Sequence, residues 1–264
     1  QNNNTKALND KFAPIISSVI TAADNSTVTV TFSEAVFKAS NGNGDLEISD
    51  FKLAMSNGTA TLKSDTATTI SKNGNVYTLG LSLNGTGTGL EVLEVIPRES
   101  SIYDFAGNPA STTQGANTVY LKDLAGPLVK TITPKADNTA IIVTFDEEVF
   151  TNSDGTGGLD TSDVTLTLAG GNAVLKDPKP TSFAKSGNAY TFGINLEGKI
   201  NGFEIITVQI QYNAVYDSLG NVASPLQAVN TVQLIDQTAP TFAALVLAQD
   251  NSAIDVSFSN PVFK

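Results

Sequence analysis

The chain of 264 residues has no cysteine, no histidine and no tryptophan. Without histidine there is no Ser-His-Asp triad and no imidazole base. Without histidine or cysteine the usual zinc, copper, haem and iron–sulfur sites cannot be assembled. What remains is the chemistry of carboxylates, hydroxyls and lysines. The missing cysteines also exclude a disulfide framework, but they do not place the protein in the cytosol, since secreted proteins can avoid thiols too. Positive charge is scarce as well. Lys and Arg number 15 against 26 Asp and Glu, so the net charge is 15 − 26 = −11. Nucleic acid and anionic membrane are bound through dense Lys/Arg patches, and neither is expected as a partner. No stretch approaches the roughly 20 apolar residues of a membrane span, so membrane insertion is not expected. The first residue is Gln1, with neither an initiator Met nor a signal peptide, as expected of a processed or trimmed product. With 41% hydrophobic and 16% charged residues the chain is expected to fold, as one large domain or two of ordinary size.

Self-similarity decides between one domain and two. Pro14, Pro127 and Pro240 are spaced by 113 residues, as are Asp10, Asp123 and Asp236, and Phe32, Phe145 and Phe258. Aligned without gaps, residues 14–123 and 127–236 share 45 identities in 110 positions. A third copy begins at Pro240, repeats Asp137-Asn138 as Asp250-Asn251, and reaches Lys264 after about a quarter of the unit. The expected organisation is an N-terminal segment or linker over 1–12, domains over 13–123 and 124–236, and the first strands of an incomplete third repeat over 237–264.

Within a unit the period is that of strands. In Thr27-Val28-Thr29-Val30-Thr31-Phe32 the apolar side chains fall on alternate residues, giving one core face and one wet face. Further strands are predicted over 15–21, 51–55, 59–63, 76–83, 90–96 and 118–122. They are broken by Ser56-Asn57-Gly58, Asn73-Gly74-Asn75 and Asn84-Gly85. A short helix over 99–103 is the one helical alternative. About seven short strands per unit point to antiparallel β-sandwiches.

Three motifs recur in order in both units: Val30 to Val36 and Val143 to Val149, Gly74 to Leu79 and Gly187 to Phe192, and Asp104-Phe105-Ala106-Gly107-Asn108 and Asp217-Ser218-Leu219-Gly220-Asn221. In order and spacing they resemble the bacterial Ig-like repeats of S-layer proteins and large cell-surface adhesins. The resemblance covers nearly the whole chain. It implies an all-β fold of tandem seven-stranded Ig-like sandwiches forming an extended rod, used as a spacer, stalk or lattice module outside the cell. The third copy departs from the pattern, with Ser259-Asn260-Pro261 where the others have Ser33-Glu34-Ala35 and Asp146-Glu147-Glu148.

Ig-like topology brings the loop after the second strand and the loop before the last strand to the pole where the chain enters. This predicts that Asp10, Glu34, Asp104 and Asn108 converge in the first unit. Asp123, Glu147, Asp217 and Asn221 are expected to converge in the second. Such oxygen donors suit a hard cation, so one candidate is a Ca²⁺ at the entry pole of each complete domain, stiffening the linker. The other reading is purely structural. Asp104 and Asp217 accept loop N–H groups, Gly107 and Gly220 supply positive φ, and Glu34 caps loop amides at the end of the core. The segments Asn41 to Asp45 and Asn152 to Gly158 lack the ligand spacing of a Ca²⁺ loop and are expected to be mobile surface loops, with Asp50 and Asp163 opening the next strand. Tyr77 and Tyr190 are expected in the core.

No catalytic constellation is evident. Glu34 with Asp104 would suit a glycosidase, but the pair is duplicated and lacks the aromatic lining of a sugar cleft. The expected function is a structural or adhesive module of a secreted bacterial cell-surface protein, located outside the cell. Expected partners are other copies, further repeats of the same chain, or a surface glycan or protein ligand. The alternative is a noncatalytic recognition or spacer module of a secreted polysaccharide-active enzyme. Two lone strands have sticky edges. The third copy is therefore expected to be completed, by chain beyond Lys264 in preference to strands donated by a neighbouring molecule.

Overall fold

The computed structural model describes residues 9–259 and residue 262. The chain divides into two compact units between Ala125 and Gly126. The first contains β1 (Ile16–Thr21), β2 (Thr27–Phe32), β3 (Phe51–Ser56), β4 (Thr61–Leu62), β5 (Ile70–Asn73), β6 (Val76–Gly80), β7 (Leu83–Asn84), β8 (Val92–Pro97) and β9 (Thr118–Tyr120). The second contains β10 (Val129–Pro134), β11 (Ala140–Phe145), β12 (Val164–Ala169), β13 (Val174–Leu175), β14 (Phe183–Ser186), β15 (Ala189–Gly193), β16 (Leu196–Glu197), β17 (Ile205–Ile210) and β18 (Thr231–Gln233). Every bound of the second set lies 113 residues after its counterpart in the first. A hairpin follows, β19 (Phe242–Leu247) with β20 (Ile254–Phe258).

In the first unit one sheet has the order β1-β2-β6-β5 and the other β3-β8-β9, and all neighbours run antiparallel. Lettered A to G, these strands form the ABED and CFG sheets of a seven-stranded Ig-like sandwich. The two-residue pair β4-β7 is added outside that set. The second unit has the same sheets, β10-β11-β15-β14 and β12-β17-β18, with the pair β13-β16.

Alternation builds the core. β2 buries Val28, Val30 and Phe32 while its threonines stay half-buried. From the facing strands come Leu53, Leu93 and Val95. Tyr77 sits in the middle, edge-on to Phe32 at 5.9 Å between ring centroids, with Phe51 at 6.2 Å. Its hydroxyl donates to the Val36 carbonyl at 3.3 Å, so the buried ring leaves no unpaired polar atom. Tyr190 repeats this with Phe145 at 5.6 Å and the Val149 carbonyl at 3.4 Å. Bulk is redistributed between the two cores. Val164 replaces Phe51, and the volume returns as Phe183 in place of Ile70 and Phe192 in place of Leu79. Such exchanges preserve packing density better than any single change would.

Side-chain hydrogen bonds tie the first and last segments of each unit together. Gln114 Oε1 accepts the Ile16 N–H at 2.8 Å, and Thr21 Oγ1 donates to the Tyr120 carbonyl at 3.2 Å. In the β1–β2 turn Asn25, at φ 56°, donates from Nδ2 to the Lys122 carbonyl at 2.8 Å. Its Oδ1 accepts the Lys122 N–H at 2.8 Å. The buried Asn138 makes the same reciprocal pair with Ile235 at 2.7 and 3.0 Å.

The structure departs from the sequence expectations in three places, and the helical alternative is not realised. No helix forms over 99–103; that stretch is a turn leading to a bridge between Tyr103 and Phe37. A 3-10 turn occupies Ile48–Asp50 instead, where Asp50 Oδ2 accepts the Glu47 N–H at 2.7 Å. The predicted strand over 76–83 is two strands, because the N–H and C=O of Gly80 turn to Thr69 and Thr68. β5 was not anticipated. It is an edge strand with one half-buried and three exposed residues, so it carries no alternation to read.

One fully buried residue organises the far end of the sandwich. Glu91 Oε1 accepts the N–H groups of Thr59 and Ala60 at 2.8 and 2.9 Å, and Oε2 accepts that of Thr88 at 2.8 Å. Burial pushes its carboxyl up, but the N–H groups of Ala60, Thr88 and Thr59 together outweigh burial and hold the pKa at about 2. Glu204 accepts from Asn172, Ala173 and Asn201 in the same way and is also lowered. Gly58 makes room for this carboxylate. It sits at φ 60°, and a Cβ there would lie 2.3 Å from Glu91 Cδ.

Because the folded pKa of Glu91 is depressed, its contribution is complete above the unfolded value of about 4.5 and is lost as pH falls towards about 2. Glu91→Gln is expected to lower unfolding free energy by about 1–3 kcal/mol at neutral pH. Urea titrations at pH 7 and pH 2.5 should show that penalty shrinking at the lower pH.

Candidate metal centre at the carboxylate pole

The loop that follows β8 closes on itself through one aspartate. Asp104 is fully buried, and its N–H donates to the Asn108 carbonyl at 3.1 Å. Asp104 Oδ1 accepts the Asn108 N–H at 2.7 Å, and Oδ2 accepts Asn108 Nδ2 at 2.6 Å. Gly107 makes the tight turn possible at φ 88°, where a Cβ would stand 2.5 Å from the Ser40 carbonyl oxygen. Asn108 Nδ2 also reaches the carbonyls of Asp10 and Phe12 at 3.3 and 3.2 Å, which fixes the incoming chain against the loop. Pairing of Phe37 with Tyr103, at 2.7 and 2.8 Å, brings the segment after β2 to the same place. Three segments distant in sequence therefore meet.

At that meeting point an exposed Asp10, a half-buried Glu34 and the buried Asp104 each offer a carboxylate oxygen, all within 4.8 Å of one another. The predicted convergence of these three residues is present. Asn108 also arrives there, as a donor that clips Asp104 to the incoming chain. Burial, then the neighbouring charges of Asp104 and Asp10, raise the Glu34 carboxyl above its ordinary range. The Asp-to-Asn turn itself forms as expected, with Asp104 accepting the Asn108 N–H and Gly107 at positive φ. The two readings are compatible, because a carboxylate has about four acceptor positions and Asn108 uses only some of them.

The second unit repeats the turn. Asp217 Oδ1 accepts the N–H groups of Leu219 and Asn221, both at 2.8 Å, and Oδ2 accepts Asn221 Nδ2 at 2.7 Å. Asp217 is buried, and the half-buried Glu147 offers an oxygen within 4.8 Å of one of its own. Asp123 belongs to the segment after β9, where it bridges to Thr88 and its Oδ1 accepts the Ala125 N–H at 3.0 Å.

The Asp- and Gly-rich segments are hydrogen-bonded turns. Ala39 N–H donates to the Asn43 carbonyl at 3.0 Å, and Asn152 N–H to that of Thr156 at 3.0 Å. Asp45 is engaged by Lys72 at 2.9 Å. Asp50 and Asp163 immediately precede β3 and β12.

No family model matches the chain, and no curated protein matches it. Two solved structures match the chain at low TM-scores. The N-terminal part of the bacterial S-layer protein SbsC matches with 18% identity over 80% of this chain and 43% of that one, at a TM-score of 0.31. The S-layer protein rSbsC(31-844) matches with 12% identity over 89% and 42%, at a TM-score of 0.28. The chain thus spans less than half the length of either structure. Among the described residues no helix is long and apolar enough to cross a membrane.

Sequence reasoning missed Glu91 and Glu204. The signal was available: Glu91 shares parity with the buried Leu93 and Val95, as Glu204 does with Ile206 and Val208. It also missed Asn25 and Asn138, whose partners lie 97 residues away.

The carboxylate pole yields two contrasting expectations. Glu34 is raised, so its ionised form opposes folding at neutral pH and the opposition fades as pH falls through its folded pKa. Glu34→Gln should therefore give a small rise in melting temperature in chelator at pH 7, vanishing near pH 4. Asp104→Ala removes acceptors for the loop N–H and for Asn108, and should cost about 2–4 kcal/mol in chemical unfolding.

Proposed function

We propose that the chain is a noncatalytic structural module of a secreted bacterial cell-surface protein, made of repeated Ig-like sandwiches that hold Ca²⁺ where each chain segment enters its domain. The observation that carries this reading is the carboxylate cluster of Asp10, Glu34 and Asp104, with Glu147 and Asp217 in the corresponding place one repeat later. Three carboxylates supply up to six hard oxygens, within the six to eight that Ca²⁺ takes. Burial first, and then repulsion by Asp104 and Asp10, raise Glu34, and a divalent cation would relieve the repulsion. Equivalence at the 113-residue step extends the proposal to Asn221.

A role in structure and not in turnover is supported by the duplication of the set and by its place among loops that anchor the chain. The extracellular assignment rests on the family resemblance of the three motifs and on an acidic, thiol-free composition suited to saline, Ca²⁺-containing surroundings. Other copies of the chain or further repeats are the proposed partners.

Calcium titration tests the proposal. At a free concentration of about 100 times Kd, binding adds about 2.7 kcal/mol, which should raise the melting temperature by on the order of 10 °C relative to chelator. Glu34→Gln and Glu147→Gln together should abolish most of that rise. An unchanged melting temperature, with an unchanged maximum dimension in small-angle scattering, would sink the proposal.

A further inference from the structure

The β19–β20 hairpin is built like the two hairpins that begin the complete sandwiches. β1 pairs β2 with Ile16 opposite Phe32 and a bulge before Ser18, and β19 pairs β20 with Phe242 opposite Phe258 and a bulge before Ala244. The turn is the same too, with Asp250 Oδ1 accepting the Ser252 N–H at 3.0 Å and Asn251 at φ 58°. What differs is cover. Val28, Val30 and Phe32 are fully buried, whereas their counterparts Ile254, Val256 and Phe258 are 62%, 45% and 38% exposed.

Both complete units show what covers this edge. β6 lies antiparallel on β2 with Tyr77 opposite Val30, and β15 lies on β11 with Tyr190 opposite Val143. Just before the strand, Asn75 and Asn188 accept the N–H of Phe32 and Phe145 on their carbonyls at 2.9 and 3.0 Å. The tyrosine ring then meets that phenylalanine edge-on. β20 presents the same row of groups, and among the described residues its second edge has no strand on it.

We propose that the free edge of β20 is an acceptor for one extended segment of the β6 type, with the pattern Gly-Asn-x-Tyr-Thr-[Leu/Phe]-Gly. It would bind antiparallel with its tyrosine opposite Val256 and its ring against Phe258. Backbone pairing supplies affinity, and the tyrosine sets register, because a slip of one residue would turn it to the wet face. The occupant is a peptide segment of this chemistry and not a second copy of the hairpin. Two paired β20 edges would supply no tyrosine to pack on Phe258, which is the group that covers the equivalent Phe32 and Phe145. This inference is independent of the Ca²⁺ proposal.

A synthetic peptide with the sequence of residues 70–84 is the probe, titrated into the whole chain and followed by amide NMR. Saturable shifts confined to β19 and β20 are expected. A Tyr77→Ala peptide should bind at least ~10-fold more weakly, since a buried aromatic contributes several kcal/mol. Val256→Asp in the protein should abolish the shifts while leaving those of the two sandwiches in place. Absence of shifts at millimolar peptide, or equal binding by the Tyr77→Ala peptide, overturns the proposal. So does concentration-dependent dimerisation in sedimentation that Val256→Asp removes, because that assigns the edge to a second copy.

Discussion

The pairing of β2 with β6, and of β11 with β15, turns a hairpin into a sandwich. β1 and β2 are neighbours in sequence and their turn closes locally, with Asp24 Oδ1 accepting the Ser26 N–H and the Asn25 N–H donating to the Ala22 carbonyl. That local closure buries nothing by itself, as the exposed side chains of β19 and β20 make plain. Once β6 docks, Tyr77 drops between Phe32 and Phe51. Its hydroxyl engages Val36, and the segment carrying Glu34 is anchored. Core, sheet order and carboxylate pole thus depend on one long-range contact, whose loop-closure entropy must be met before its rewards arrive.

The two ends of the first sandwich treat a carboxylate in opposite ways. Glu91 precedes the first residue of β8 and Asp104 follows the last, so the length of that strand separates them. At the Glu91 end, converging backbone N–H groups stabilise the anion more than burial opposes it. At the other end Glu34 meets burial and two like charges, and its anion is disfavoured. Burial acts upward on both, and the neighbours decide the sign. One end is electrostatically complete within the protein, and the other carries a surplus of negative charge in a small volume.

Much of this was legible in the chain before any fold was known. The threonine–valine alternation of β2 gives its bounds outright, and the 113-residue step carries each strand of the first unit to its counterpart in the second. Convergence of Asp10, Glu34 and Asp104 follows from which loops share a pole. What stayed hidden has physical reasons. Edge strand β5 has little to bury, so Ile70-Ser71-Lys72-Asn73 offers no period. Gly80 ends a strand through bonds to Thr68 and Thr69, which lie on a segment with no pattern of its own. The clamp made by Asn25 depends on a backbone 97 residues away, and no local rule connects the two.

That clamp has a mechanical meaning. Ile16 meets Gln114, Thr21 meets Tyr120 and Asn25 meets Lys122, so the first and last segments of the unit run side by side in the same direction. The chain therefore enters a sandwich at one end and leaves it at the other. Tension along the chain pulls the two segments past each other, and the three attachments share the strain together instead of parting in turn. Resistance to being drawn out is thereby placed in a handful of side-chain bonds along one margin of the apolar core, where Ile16, Thr21 and Asn25 are all buried.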